Sequence, residues 1–222
     1  AENIQMPDGN YTCLITGFPV SISHGRLQDY RVHGNSAMVI SAEGVPVEAA
    51  LVVVFQINGF ETQPGQSIAI IGDCGFHQVE RVLNYDHVYQ RANELVTFID
   101  NHDMPRFLSI VPDSRKLDLA LVLLTTLRGV PCLFYGTEQY LNNSTNGGQD
   151  PYNRPMMESW DTSSHSFKLV QTLLELRHRN QALSLGSHHT AWINDDFYLF
   201  TRNFRDSAVM VMINKSDDDH LV

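Results

Sequence analysis

The chain has 222 residues, with 15 Lys+Arg against 25 Asp+Glu and a formal net charge of −10 at pH 7. Apolar residues make up 43% and charged residues 18%, a balance that permits a buried core and excludes general disorder. The acidic surplus argues against nucleic acid as a partner, and no run approaches the ~20 apolar residues of a membrane span.

The opening AENIQMPDGN has neither a basic region nor an apolar one, so no signal peptide is read there. Residues 1–74 have a β texture. YTCLIT (11–16), AMVIS (37–41), ALVVVFQI (50–57) and SIAIIG (67–72) are rich in β-branched and aromatic residues, and PDGN, HGN, NGF and PGQ punctuate them as turns. After Gly75 strands and helices alternate. LVTFID (95–100) reads as a strand that ends in the polar cluster NHD. SRKLDLALVLLTTLRG (114–129) reads as a helix capped by Ser114, with Leu117, Leu121 and Leu124 on one face and Gly129 as its stop. VPCLFYG (130–136) is a second strand, followed by a long polar loop through Arg154. A second helix is expected over 164–180, and the tail returns to β with AWI, FYLFTRNF and AVMVMIN. Strand, helix, strand, helix at this spacing predicts parallel βα units. Cys13, Cys74 and Cys132 are far apart and form no CxxC, which excludes a zinc knuckle. They read as three buried small hydrophobes, with one disulfide plus a free thiol as the alternative.

The sharpest local feature is Asp100-Asn101-His102-Asp103 at a strand end. In parallel α/β architectures such ends form the ligand-facing rim. A His and an Asp presented there can hydrogen-bond sugar hydroxyls, and a carboxylate can stabilise oxocarbenium charge. An ordinary Asn/Asp-rich turn favours the same residues. Asp150 and Arg154, four residues apart in the polar loop, read equally well as a surface ion pair.

Four segments in order carry a resemblance. LVTFIDNHDMPRF resembles the fourth signature segment of the α-amylase family of glycoside hydrolases. RGVPCLFYGTEQYL resembles its eighth barrel strand, and GGQDPYNRPMM the sugar-binding loop after it. AWINDDFYLFTRNF resembles the start of the all-β third domain in the version shared with cyclodextrin glucanotransferases. The resemblance implies α-1,4-glucosidic chemistry on an α-glucan or malto-oligosaccharide. Asp103 would be the transition-state-stabilising carboxylate, with His102, Asp150 and Arg154 binding substrate. It also implies secretion and a family that commonly binds calcium, but no cofactor and no metal site are expected in this chain, since the usual calcium ligands belong to the front part of such enzymes.

Retaining cleavage needs a carboxylate nucleophile and a carboxylic acid. The GFRxDAxxH-like segment and the Glu-bearing strand that supply them in this family are not found here. Glu80, Asp86 and Glu94 precede LVTFID in a stretch similar only to the connection into the seventh strand, and they read as solvated positions. The first 74 residues resemble later pieces of the family. ENIQMPDGNYTCLITG is similar to the second half of the third domain, and ALVVVFQINGFETQPGQSIAIIGDC to the opening of a starch-binding module. The order is therefore permuted, joined near Cys74–Gly75. The only tryptophans, Trp160 and Trp192, lie outside the starch-binding segment, which is read as scaffold.

The expected fold class is α/β plus all-β: a partial (β/α) barrel comprising the last two βα units, with an antiparallel β-sandwich domain. Residues 1–48 are the second half of the all-β third domain and 49–74 the truncated start of the starch-binding module. Residues 75–183 are the last βα units, and 184–222 the first half of the third domain. The functional expectation is a hydrolase or glucanotransferase that is silent alone, with the front part of the enzyme as its partner. The alternative is a non-catalytic carbohydrate-binding or structural fragment. If the order is a permutation, Tyr11–Thr16 and Ala37–Ser41 belong to the same sheet system as Phe197–Phe204 and Ala208–Ile213.

Overall fold

The computed structural model describes residues 4–28, 30–42 and 75–221. The N-terminal part contains β1 (Gly9–Thr12), β2 (Pro19–Ser23), β3 (Arg26–Leu27), β4 (Arg31–Val32) and β5 (Ser36–Ala42). Then follow α1 (Phe76–Leu83), β6 (Val96–Thr97), α2 (Phe107–Ile110), α3 (Ser114–Thr126) and β7 (Val130–Pro131). The chain closes with α4 (His165–Arg179), α5 (Gln181–Leu185), β8 (Ser187–Ile193), β9 (Phe197–Phe204), β10 (Ser207–Asn214) and β11 (His220–Leu221). The strands expected at ALVVVFQI and SIAIIG, the starch-binding segment 49–74, Cys74 and the chain termini lie outside the described residues.

One antiparallel sheet, in the order β5-β10-β9-β8, organises the molecule. Its strands come from both ends of the chain. β10 pairs with β5 in unbroken register from Ala208↔Ala42 to Asn214↔Ser36, and on its other edge with β9. β11 pairs with β4. The adjoining loops interlock as well: Asn35 N donates to Ser216 O at 2.7 Å, and Gly34 N to an Asp219 carboxylate oxygen at 3.2 Å. A Cβ at Gly34 would collide with the Asp217 carbonyl, so this close approach of two backbones requires glycine.

Side chains alternate across a strand, and this sheet is covered on both faces. Ala37 and Val39 of β5, Tyr198 and Phe200 of β9, and Val209, Val211 and Ile213 of β10 pack with residues of α1, α3, α4 and α5. Met38, Ile40, Phe197, Leu199, Met210 and Met212 face the other way, onto Val20, Ile22, Leu27 and Val32 of the small N-terminal strands. Val39 stands opposite Val211 and Ile40 opposite Met210, so cross-strand pairs share a core. Of the four stretches expected to share a sheet system, 37–41, 197–204 and 208–213 lie in this sheet. The first, YTCLIT, ends its ladder at Thr12 and belongs to a separate sheet β1-β2-β3. It touches the main sheet through Leu14 N, which donates to Val39 O at 2.8 Å.

Several sequence expectations are corrected in detail. The stretches 95–100 and 130–136 keep only two ladder residues each, pairing in parallel as Val96↔Val130 and Thr97↔Pro131. A strand extends only as far as a partner supplies hydrogen bonds, and among the described residues each of these has one neighbour. The cap of α3 is Asp113, whose carboxylate accepts from Arg115 N, rather than Ser114. Gly129 follows at φ +104°, a left-handed position that L side chains rarely adopt. α4 is capped by Ser164, which accepts from Phe167 N at 3.3 Å. α1 places Phe76, Val79 and Leu83, spaced i, i+3, i+7, on one buried face, and neither it nor α5 is among the expected elements. Cys13 is buried and free as expected, but Cys132 is exposed, as is Val130 of the neighbouring β7.

Leu117, Leu121 and Leu124 are buried as their spacing predicts. Arg177 of α4 caps the end of α3. Its guanidinium donates to Thr125 O at 2.7 Å, to Leu127 O at 3.0 Å and to Gly129 O. Arg202 of β9 adds Thr126 O at 3.2 Å and Gly186 O at 2.7 Å. These carbonyls lack helical partners, so arginine N–H groups satisfy them. Burial pushes Arg177 down to about 10 and Arg202 to about 9.

Candidate functional site

The site is built on the loops that follow β6 and β7. Asp100, three residues beyond β6, is buried. One carboxylate oxygen accepts from Phe107 N at 3.1 Å, and the other from Thr137 Oγ1 at 3.2 Å. Arg106 Nε lies 3.3 Å from the first oxygen, both side chains being almost wholly enclosed. Arg106 Nη2 also donates to Tyr135 O at 2.6 Å and to Thr137 Oγ1 at 3.1 Å. Its guanidinium carbon stands 4.4 Å from the Phe134 ring centroid and 5.3 Å from that of Tyr135. Desolvation lowers the Arg106 pKa, and the neighbouring Asp100 charge opposes that fall. Asp100 is thus not a ligand-facing group. With Arg106 and Thr137 it ties the two loops together.

The next residues turn outward. Asn101 Oδ1 accepts from Asp103 N at 2.8 Å, a local turn that lifts the backbone out of the strand direction. His102 Nε2 lies 3.2 Å from Asp103 Oδ2, and both side chains are exposed. Asp150 and Arg154 form their ion pair, also exposed. The loop that carries them is held against the first by Asn153. Its Nδ2 donates to His102 O at 2.6 Å and to Met104 O at 3.3 Å, from a fully buried side chain. Tyr135 OH donates to Pro155 O at 2.8 Å, pinning the same loop from the β7 side.

All four sequence-predicted residues therefore sit on two loops joined by direct hydrogen bonds. Asn153, Arg106, Thr137 and Tyr135, which do the joining, were not singled out from sequence. Arg106 and Asn153 lie inside motifs already quoted, and buried loop carbonyls need donors, which is the signal that points to them. Asp86 is engaged by Arg128, with Nε to Oδ2 at 2.8 Å, and Glu94 by Arg91 at 3.2 Å. Among the described residues no group of three or more His, Cys, Asp or Glu side chains converges. No helix among the described residues is long and apolar enough to cross a membrane.

The model of the α-amylase catalytic domain matches residues 43–166. The chain belongs to the α-amylase family. The match runs across residues 43–74, outside the described ones, and includes all four candidate site residues. The chain is 41% identical over 146 residues to a cyclomaltodextrin glucanotransferase of Geobacillus stearothermophilus, covering 66% of this chain and 20% of that protein. It is 43% identical over 128 residues to an α-amylase of Niallia circulans, covering 58% and 24%. Among solved structures, the cyclomaltodextrin glucanotransferase CldA, with a three-domain ABC distribution, matches at TM-score 0.62 and 46% identity. That match covers 64% of this chain and 29% of CldA. The chain thus spans roughly a fifth to a quarter of the curated α-amylase-family proteins it matches. Its mixture of helix and sheet is that of an α-amylase-family fold, and its family relatives are glycosidases and glucanotransferases.

Proposed function

We propose that this chain is a glucan-holding part of an α-amylase-family enzyme that acts on α-1,4-glucosidic bonds. Asp103 is the carboxylate that stabilises developing positive charge on the sugar, and His102 hydrogen-bonds the same sugar. Asp150 and Arg154 hold a glucose unit further along the chain. The observation that supports this most is the Asn153 bond to the His102 carbonyl, because it ties together the two loops that carry the exposed polar pairs. Preorganised polar groups on tied loops are what sugar hydroxyls require.

On this reading β6 and β7 with their helices are the last units of a (β/α) barrel, residues 75–183. Residues 1–48 and 184–222 make up one all-β sandwich domain split between the chain ends, in permuted order around 49–74. The pairing of β5 with β10 supports the split-domain reading. The natural partners are an α-glucan and the front part of the enzyme, and the setting is extracellular.

Without nucleophile and acid the covalent route is lost, so the chain alone binds glucan but does not cleave it. Reducing-sugar release from soluble starch and calorimetric binding of maltoheptaose test both halves of this reading. Binding that weakens in Arg154→Ala, with no sugar release, is expected. Turnover abolished by Asp103→Asn would show that another carboxylate has taken the missing roles. Absence of any binding would overturn the glucan assignment itself.

A further inference from the structure

Trp160 is the most exposed aromatic side chain among the described residues, at 73%. Its ring packs on no other aromatic ring and its indole N–H has no acceptor among the described residues. An indole left in water forgoes a large hydrophobic gain. The backbone beside it is nevertheless fixed. Asp161 N donates to Gln139 Oε1 at 2.9 Å, and Gln139 Nε2 donates back to Asp161 O at 3.3 Å. Asp161 Oδ1 also accepts from Ser163 N at 2.8 Å and from Ser163 Oγ at 2.6 Å, leading directly into the Ser164 cap of α4.

This clamp places the indole relative to the site. Gln139 belongs to the short 3₁₀ turn Thr137–Gln139 that follows β7, and Thr137 contacts the Asp100 carboxylate. The backbone beside Trp160 is therefore tied to the loop after β7, whose Thr137 meets the start of the 100–103 loop. Six residues separate Trp160 from Arg154, a reach of at most about 20 Å. Tyr135 and Tyr152, both part-exposed, belong to the same two loops.

We infer that Trp160 is a stacking platform for a glucose unit of an α-glucan that runs outward past Arg154. A pyranose ring has an apolar C–H face that covers an indole while its hydroxyls stay at the polar edge. The inference rests on the glucan-binding reading above. It adds that long oligosaccharides gain from Trp160 and short ones do not.

Trp160 and Trp192 are the only tryptophans, so the full chain carrying Trp192→Phe reports on Trp160 alone. Titration with maltoheptaose should change its emission saturably. By calorimetry, Trp160→Ala should weaken maltoheptaose about tenfold and leave maltotriose within about twofold, while Trp160→Phe keeps most of the affinity. An unchanged far-UV spectrum of Trp160→Ala verifies the fold. If maltoheptaose binding depends on Arg154 but not on Trp160, the platform is overturned and the glucan site stands. If neither wild type nor variants bind maltoheptaose, both are overturned.

Discussion

Asn153 Nδ2 and the carbonyl oxygen of His102 lie 2.6 Å apart, joining two loops that are 51 residues apart in sequence. The amide side chain is fully buried and spans both His102 O and Met104 O. These bonds tie the loop that carries the Asp150–Arg154 pair to the backbone that carries the His102–Asp103 pair.

Replacing Asn153 with Ala leaves two carbonyls without this donor, which costs about 1–3 kcal/mol of stability. Oligosaccharide affinity should fall further than Arg154→Ala alone lowers it, since the whole loop loses its anchor. Urea unfolding and calorimetry on the same variant give both values. Unchanged stability and unchanged affinity would mean that the loop is placed by Tyr135 alone.

The half-buried His188 gives the fold a pH dependence. Its Nε2 is 2.8 Å from Tyr198 OH, and its ring centroid is 4.9 Å from that of Phe200. Burial, aided by Arg202, His189 and Arg128, pushes its pKa down to about 3. Unfolded, the imidazole returns to about 6.5. Between these values the unfolded chain binds the extra proton, so stability from this residue is whole above about pH 6.5 and declines as pH falls towards 3. The urea midpoint should therefore drop from pH 7 to pH 4, and His188→Gln should flatten that drop. A variant whose midpoint falls as steeply as wild type would refute the assignment.

Ile40 tests whether the two ends of the chain are one folding unit. It is fully buried opposite Met210, and Ile40→Ala should cost about 2–5 kcal/mol. Because β5 joins the tail through β10, far-UV ellipticity and, in a Trp160→Phe background, Trp192 fluorescence on β8 should shift together to lower urea. An unmoved fluorescence transition would mean that β5 unfolds independently of β8, β9 and β10.

Apolar runs mark the long elements as core. Residues 119–126 of α3 and 197–202 of β9 are buried without interruption, so their composition places them inside the molecule without naming the face that meets each neighbour. The NHD and DPYNR motifs were likewise readable, since loop residues with exposed polar groups carry local signals. Tertiary structure decided what those signals leave open. Strand length at 95–100 and 130–136 depends on neighbouring strands. The work of Arg177, Arg106 and Asn153 depends on which carbonyls a distant loop leaves unpaired. The same holds for β5, whose apolar run marks a core strand but not its partner. Pairing with β10 across the chain ends is a long-range choice, made where seven residues of matched register bury both faces at once.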